Sequence, residues 1–226
     1  MTDEPVETVL LDLDGTLCRY RRTGEELLAV AFDAVGVEPL FTAADYRERL
    51  DAFLEADGEA SFDEVRARCF ADLAAERGRD PELGRAVADV YADEREQSEV
   101  EWMPGAREAV DALSAYRLGV VTNGPPEIQT AKLEALGLPE RVATVVFAGH
   151  DTPPKPEPDP FHAALDALDG TPGRAVHVGD SPRADVGGAR AAGLRAAWIR
   201  EDGIDPDPAP DYVLGGPGEL VEEPWV

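Results

Sequence analysis

The chain has 226 residues, and 43% of them are apolar, which is enough to form one large or two small domain cores. Its 47 acidic and 21 basic residues give a formal net charge of −26, which excludes nucleic-acid polymers and anionic membrane surfaces as main partners. No apolar run approaches the roughly 18–20 residues of a membrane span, and the N-terminus is acidic where a secretory signal is basic, so we predict a cytoplasmic protein.

Short apolar runs, typical of strands buried on both faces of a parallel sheet, recur along the chain. They predict strands at residues 8–11, 118–121, 142–148, 175–178 and 195–199, and a short edge strand at residues 211–214. Stretches of helical length and periodicity separate the later strands. This alternation predicts an α/β fold, with a doubly wound, mostly parallel, Rossmann-like sheet as its core.

Residues from about 24 to 98 interrupt this alternation, because their apolar residues recur at helical spacing without a strand-like run. Four helices are predicted there. We therefore predict a Rossmann-like core of residues 1–18 and 99–226 and an inserted four-helix cap domain of residues 19–98. Because the insertion follows the first strand, we expect the cap to cover the carboxyl end of that strand, where α/β sheets bind ligands.

Two aspartates, Asp12 and Asp14, follow the first predicted strand directly and precede Gly15 and Thr16. Side chains alternate along a strand, so both carboxylates are expected on one side, where they repel each other unless a cation or a shared proton intervenes. Mg²⁺ prefers oxygen ligands and can bridge a carboxylate and a substrate phosphate, so the pair predicts a magnesium site. The alternative is that the two aspartates only cap a helix or form a turn, as Asp-Gly often does.

A second motif, Thr122-Asn123-Gly124, ends another apolar strand and precedes a helix that begins at a proline. A hydroxyl, an amide and backbone N–H groups at a helix N-terminus can together hold an anion such as a phosphate. The alternative is that Thr122 and Asn123 only cap the following helix.

The chain contains only two lysines, Lys132 and Lys155, beside nineteen arginines. Lys155 lies in a loop whose flanking prolines stiffen the backbone and fix the direction of the side chain, so we predict a functional role for it. Lys132 lies in the middle of a predicted helix, and we expect it to be a solvated surface charge.

A third group of polar residues follows the strand predicted at residues 175–178, where Gly179-Asp180-Ser181 opens another helix and Asp185 comes four residues after Ser181. Asp180 is expected to be a metal ligand, and Asp185 a second ligand or a support for the ligands. The alternative for Asp185 is an acidic residue of the first helical turn, which the helix dipole favours.

In chain order, Asp-Leu-Asp-Gly-Thr at 12–16, Thr-Asn-Gly at 122–124, Lys-Pro at 155–156 and Gly-Asp-Ser at 179–181 with Asp185 resemble the motifs of the haloacid dehalogenase-like hydrolase superfamily. The four motifs span nearly the whole chain, and each lies at a predicted strand end or in the loop beyond it. The helical insertion after the first motif resembles the small four-helix cap of the branch that contains phosphoglycolate, acylneuraminate-phosphate and nucleotide phosphatases.

The resemblance implies Mg²⁺-dependent hydrolysis of a small-molecule phosphate monoester. In such an enzyme Asp12 would attack phosphorus and form an aspartyl-phosphate, which water then hydrolyses. Asp14 would protonate the departing alkoxide and afterwards accept a proton from the attacking water.

The resemblance also implies which residues hold the phosphate and the metal. Thr122, Asn123 and Gly124 would hold the transferring phosphoryl oxygens, while Lys155 offsets the charge of those oxygens and of Asp12. The metal ligands would be Asp12, the backbone carbonyl of Asp14, and Asp180, with Asp185 as a further ligand or a support.

Three other functions remain compatible with the same scaffold. The 2-haloacid dehalogenases of the superfamily use the first aspartate on carbon without a metal, but they usually lack an acid at the second position, which Asp14 occupies here. A phosphomutase keeps all of these motifs and differs in how its cap excludes water. A binding protein without turnover would not need the intact set of polar residues.

Two features of the charge pattern lead to further predictions. Arg21 and Arg22, in the basic run 19–22, are either contacts for an anionic group of the substrate or a solvated hinge of the cap. The large acidic excess is typical of proteins adapted to molar salt, which shortens the Debye length to about 3 Å and screens carboxylate repulsion. The sequence leaves open whether the protein is a monomer or a homodimer.

Overall fold

The computed structural model describes residues 4–56, 61–200, 203 and 205–226, with the backbone alone at residues 51, 52 and 54–56. The chain divides into two compact units: a sheet unit of Met1–Tyr20 and Gln97–Val226, and a helical unit of Arg21–Glu96. No helix in the described part of the chain combines the length and the apolar character needed to cross a bilayer.

The sheet unit contains all the strands that the structure describes. They are β1 Thr8–Leu11, β2 Cys18–Tyr20, β3 Val100–Trp102, β4 Arg117–Asn123, β5 Thr144–Ala148, β6 Ala175–Gly179, β7 Arg195–Ile199 and β8 Tyr212–Leu214. Six of these form one sheet in the order β5-β4-β1-β6-β7-β8, and every neighbouring pair in it is parallel. The predicted strands are confirmed, each within two residues of its expected bounds.

Helices cover both faces of this sheet, as a doubly wound fold requires. Val9 and Leu11 of β1 point into one apolar cluster, which contains residues of α5 Ala106–Ala112 and α6 Pro126–Leu136. Leu10 points into the opposite cluster, with residues of α7 Asp159–Ala167 and α8 Gly188–Ala191. A π-helical turn, Pro182–Gly187, leads directly into α8. The continuous apolar runs of the strands are thus explained by burial on both faces.

One element of the sheet unit was not predicted from the sequence. β2 and β3 form an antiparallel ribbon in which Cys18 pairs with Trp102 and Tyr20 with Val100. Each strand has only three residues of mixed polarity, and a run that short carries no readable periodicity.

The helical unit consists of four helices, α1 Gly24–Val35, α2 Ala43–Ala56, α3 Phe62–Glu76 and α4 Pro81–Glu94. Thr23 begins α1 with a reciprocal capping box, and Ser61 and Asp80 cap α3 and α4. Its apolar core contains edge-to-face aromatic contacts, such as that of Phe41 with Phe70 at 4.8 Å.

Candidate active site

Three neighbouring strands of the parallel sheet end at the same edge, and polar residues of the predicted motifs lie at each end. Asp12 follows β1, Asn123 is the last residue of β4, and Asp180 follows β6. Strand β1 lies between β4 and β6, so the chain passes first to one side of β1 and later to the other. The carboxyl end of β1 is therefore the topological switch point, where open α/β sheets bind ligands.

Three carboxylates converge at this edge. One oxygen from each of Asp12, Asp180 and Asp185 lies within 4.8 Å of the other two. Gly15 makes this approach possible, because it has a φ of +80° and a Cβ built on it would lie 2.2 Å from Asp180 Oδ2. An all-carboxylate set of this kind matches the oxygen ligands that Mg²⁺ prefers.

Lys155 bridges two of these carboxylates. Its Nζ donates to Asp12 Oδ1 at 2.7 Å, to Asp185 Oδ1 at 2.6 Å and to the Val121 carbonyl at 2.9 Å, which uses all three ammonium hydrogens. Asn123 holds the lysine loop in place, since its Nδ2 donates to the Lys155 carbonyl at 3.1 Å and its Oδ1 accepts from the Lys155 N–H at 2.9 Å. Lys155 is 5% exposed, so its charge acts in a poorly solvated setting.

The carboxylates outnumber the cations in this cluster, and their pKa values diverge. Burial raises the pKa of Asp12 to about 8; Lys155 opposes this shift, and Asp185 and Asp180 add to it. Burial and the charge of Asp185 raise the pKa of Asp180 to about 6. Burial also opposes ionisation of Asp185, but Lys155 and His177 hold its pKa below the ordinary range. A bound divalent cation would stabilise all three carboxylates in the ionised form.

His177, on β6, is a supporting residue that the sequence analysis did not single out. Its Nε2 lies 2.9 Å from Asp185 Oδ1, and the residue is fully buried. Burial lowers the pKa of His177, so the imidazole is neutral near pH 7 and donates to Asp185 from Nε2. Asp185 Oδ2 accepts from the Ser181 N–H at 2.9 Å, so both oxygens of this carboxylate are held.

The side chain of Asp14 lies outside the group of three carboxylates. Lys132 Nζ is 2.7 Å from both Asp14 oxygens, and Gln129 Nε2 donates to Asp14 Oδ2 at 3.0 Å. The expectation that Lys132 is a solvated surface charge is wrong, because the residue is 3% exposed. The structure thus pairs the Asp14 carboxylate with a lysine of α6. The metal contact through the Asp14 carbonyl stays a prediction.

A sequence signal for Lys132 and Gln129 existed. Gln129, Lys132, Leu133 and Leu136 are the buried residues of α6 and follow the i, i+3, i+4, i+7 spacing of one helix face. The two polar residues therefore lie on the same stripe as the two leucines, which marks them as inward-facing.

The motif 122–124 does not cap the helix that follows it. The N-cap of α6 is Pro125, and no side chain caps it, so the capping alternative for Thr122 and Asn123 is wrong. Thr122 is 1% exposed, and its Oγ1 accepts from Gln129 Nε2 at 2.8 Å. The Gly124 N–H is used within the sheet unit, donating to the Ala148 carbonyl at 3.2 Å. The predicted phosphate contacts of Thr122, Asn123 and Gly124 stay predictions.

The two arginines predicted to contact the substrate lie at the start of the helical unit. Arg22 Nη1 donates to Glu94 Oε2 at 2.9 Å and to the Glu94 carbonyl at 3.3 Å. The Arg21 side chain is exposed. Their contact with an anionic group of the substrate stays a prediction.

The haloacid dehalogenase-like hydrolase family model matches residues 6–193 of the chain. The chain belongs to this family. The matched range contains all three clustered carboxylates and Lys155, so the convergent site lies within the part of this hydrolase that is common to the family.

Comparison with individual proteins agrees with this assignment. The hydrolase is 30% identical to the phosphoserine phosphatase of Thermus thermophilus, over 93% of this chain and 96% of that protein. It is 34% identical to the phosphoglycolate phosphatase of Rhodospirillum rubrum, over 83% of this chain and 77% of that protein. The magnesium-bound HAD-hydrolase YfnB of Bacillus subtilis has the same fold, with a TM-score of 0.77 and 22% identity over 97% of this chain and 99% of that one.

Proposed function

We propose that this hydrolase is a Mg²⁺-dependent phosphatase that cleaves a small-molecule phosphate monoester through a phosphoaspartate on Asp12. The observation that carries the proposal is the convergence of Asp12, Asp180 and Asp185 at the carboxyl end of β1, with Lys155 bonded to two of them. The two phosphatases to which the chain is similar support hydrolysis of a phosphate ester.

The first half of the reaction transfers the phosphoryl group to the protein. A carboxylate oxygen of Asp12 forms a bond to phosphorus while the bond from phosphorus to the ester oxygen breaks. Asp14 gives its proton to the departing alkoxide. Lys155 and the hydroxyl of Thr122 offset the charge on the phosphoryl oxygens, and the buried setting strengthens both interactions.

The second half of the reaction restores the enzyme. A water molecule attacks phosphorus and gives a proton to Asp14, while the bond from phosphorus to Asp12 breaks and inorganic phosphate leaves. Asp14 therefore acts first as an acid and then as a base, and Asp12 is regenerated as a carboxylate.

The donor set fits Mg²⁺, since Asp12, Asp180 and Asp185 supply clustered carboxylate oxygens. When bound, Mg²⁺ would supply electrostatic stabilisation for the phosphoryl oxygens and for Asp12. Asp12 and Asp180 would be its ligands, and Asp185 would be held toward it by Lys155, His177 and Ser181.

The proposal is tested by assaying p-nitrophenyl phosphate hydrolysis with MgCl₂ and with EDTA, in parallel in dilute and in molar KCl. We expect turnover that requires Mg²⁺, and trapping of a phosphorylated chain that is absent from Asp12→Asn. Turnover by Asp12→Asn at more than a few per cent of the wild-type rate would contradict the covalent route. Chloride release from 2-chloropropionate without metal would favour a dehalogenase instead.

We further propose that the substrate carries a carboxylate beside its phosphate, and that the helical unit is the cap that recognises it. Phosphoserine and phosphoglycolate, which name the two relatives, are both esters of this kind. Arg21 and Arg22 are the proposed contacts, because a guanidinium binds a carboxylate through two parallel hydrogen bonds. Arg21→Gln is expected to raise KM for phosphoglycolate but not for ethyl phosphate, which has the same carbon count and no carboxylate. Equal effects on both esters would contradict this recognition.

A further inference from the structure

Helix α6 presents two buried polar side chains to Asp14. Gln129 and Lys132 lie three residues apart, on one face of the helix, and are 2% and 3% exposed. Lys132 Nζ contacts both oxygens of Asp14 at 2.7 Å, and Gln129 Nε2 contacts Oδ2 at 3.0 Å. Asp14 itself is 42% exposed in its side chain, so its position depends on these two partners more than on packing.

The amide of Gln129 also connects Asp14 to the end of β4. Nε2 lies 3.0 Å from Asp14 Oδ2, 2.8 Å from Thr122 Oγ1 and 2.8 Å from the Asn123 carbonyl. A carboxylate and a carbonyl only accept hydrogen bonds, so the amide nitrogen has to face them. Gln129 Oε1 is buried and has no hydrogen-bond partner among the described residues. All the hydrogen bonds described for this side-chain amide are therefore made by Nε2.

This arrangement also defines what the Thr122 hydroxyl can do. Gln129 Nε2 shares its two hydrogens among Asp14 Oδ2, the Asn123 carbonyl and Thr122 Oγ1, and a hydroxyl that accepts from an amide keeps its own hydrogen for another acceptor. A single amide therefore positions one hydroxyl donor and one carboxylate at the same sheet edge.

The contacts of Lys132 are not those of a residue whose main role is to stabilise the fold. Its side chain is buried, and its Nζ lies 4.8 Å from the centroid of the Tyr20 ring. The Asp14 side chain is 42% exposed, and an ion pair with a solvated partner contributes little to stability. A leucine at this position would extend the stripe formed by Leu133 and Leu136.

We propose that Gln129 and Lys132 are positioning residues that hold the carboxylate of Asp14 and the hydroxyl of Thr122 in one fixed arrangement during both halves of the reaction. The inference rests on the proposed phosphatase function. Gln129 and Lys132 would affect turnover by positioning Asp14 and Thr122, and would not contact the substrate themselves.

The test is pre-steady-state hydrolysis of p-nitrophenyl phosphate with Mg²⁺ by the full-length wild type and the variants Lys132→Met, Lys132→Arg, Gln129→Met and Gln129→Glu. p-Nitrophenolate leaves without needing a proton, so the first half of the reaction survives a misplaced Asp14, while the second half requires it as a base. We expect a stoichiometric burst followed by a kcat reduced at least about 10-fold, since general base catalysis contributes about 10²–10⁴-fold. KM should fall together with kcat, so that kcat/KM changes less than about threefold, because binding and the first half of the reaction set kcat/KM and both are retained.

Control variants separate positioning from charge and from helix stability. Arg107→Met removes an exposed cation from α5, and Glu134→Gln changes an exposed residue of α6; both should keep wild-type kcat. Lys132→Arg should recover part of the activity lost in Lys132→Met, because it restores the positive charge beside Asp14. If Lys132→Met does not fold, Gln129→Met carries the test, because it neither removes nor adds a charge in the protein interior.

Each outcome decides the inference. A kcat loss with a retained burst and a retained kcat/KM supports it. Unchanged kcat in all folded variants, or a raised KM with unchanged kcat, overturns it while the wild type stays active. A wild type that forms no phosphorylated chain and turns over no phosphate ester overturns the proposed function itself.

Discussion

Lys155 Nζ and Asp185 Oδ1 lie 2.6 Å apart in a site where the two side chains are 2% and 3% exposed. Lys155 also bonds Asp12 at 2.7 Å, so one ammonium neutralises part of the charge of two buried carboxylates. These contacts join the loop after β5 to the residues after β1 and β6, and they make Lys155 both a catalytic residue in the proposed function and a structural counter-ion.

Lys155→Met should destabilise the metal-free protein. It leaves the buried carboxylate of Asp185 without its cation and Asp12 without its hydrogen-bond donor. Breaking a buried pair costs about 3–5 kcal/mol, which lowers Tm by about 10 °C for a chain of this size. Mg²⁺ should raise Tm more in the variant than in the wild type, because the metal replaces the missing positive charge. Calorimetry with EDTA and with MgCl₂ measures both effects. Arg107→Met, which removes an exposed cation, should leave Tm unchanged. If Arg107→Met lowered Tm as much as Lys155→Met, the change in net charge, and not the loss of the buried contacts, would explain the destabilisation.

Gly15→Ala should abolish metal-dependent activity without unfolding the protein. The new Cβ would lie 2.2 Å from Asp180 Oδ2 and has to displace that ligand. Gly36→Ala is the matched control, because Gly36 has a similar φ of +75° and an added Cβ would meet nothing within 4 Å. Both substitutions carry the backbone strain of about 1–2 kcal/mol for a left-handed residue. Gly15→Ala adds the cost of moving Asp180, so its Tm should fall further than that of Gly36→Ala. Activity at several Mg²⁺ concentrations should fall more than tenfold in Gly15→Ala only.

Asp12→Asn should stabilise the metal-free protein increasingly as the pH rises. The pKa of Asp12 is raised to about 8 in the folded state, above its ordinary value of 3.8, so between these values the folded chain holds a proton that the unfolded chain has lost. The stability contribution of Asp12 is therefore greatest below its unfolded pKa and is lost as the pH rises toward 8. Asparagine does not ionise, so its contribution to stability does not change with pH.

The measurement for Asp12→Asn is Tm in EDTA at pH 5, 6.5 and 8. The Tm difference between variant and wild type should widen by about 5 °C or more from pH 5 to pH 8, since 1 kcal/mol corresponds to about 2–4 °C here. Asp166→Asn, the same substitution at an exposed residue of α7, should follow the wild type at every pH. A constant difference between Asp12→Asn and the wild type would show that Asp12 ionises normally in the fold.

Stability should increase with salt concentration up to the molar range. The net charge of −26 produces repulsion among surface carboxylates, and a Debye length of about 3 Å at 1 M salt removes most of it. We expect Tm to rise steadily from 0.1 to 2 M KCl. A Tm that is flat or falls over this range would contradict adaptation to molar salt.

The amino-acid pattern alone predicted the fold class and selected part of the candidate site. Four-residue apolar runs that end in Asp-x-Asp or Gly-Asp identify buried parallel strands, and the parallel arrangement requires their carboxyl ends to meet at one edge. Asp12 and Asp180 could therefore be selected without coordinates, since local sequence determines which residues follow each strand. Lys155 could be selected because it is one of only two lysines and lies between prolines.

Only the tertiary structure decided how these residues are paired. Asn123 bonds the backbone of Lys155, His177 bonds Asp185, and Lys132 is the buried partner of Asp14. Periodicity indicates which face of a helix is buried, but it does not indicate which charge that face will meet. The pairing is decided by long-range contacts, such as that between Asp14 and Lys132, which are 118 positions apart in the sequence, and by the cost of burying a charge without a partner.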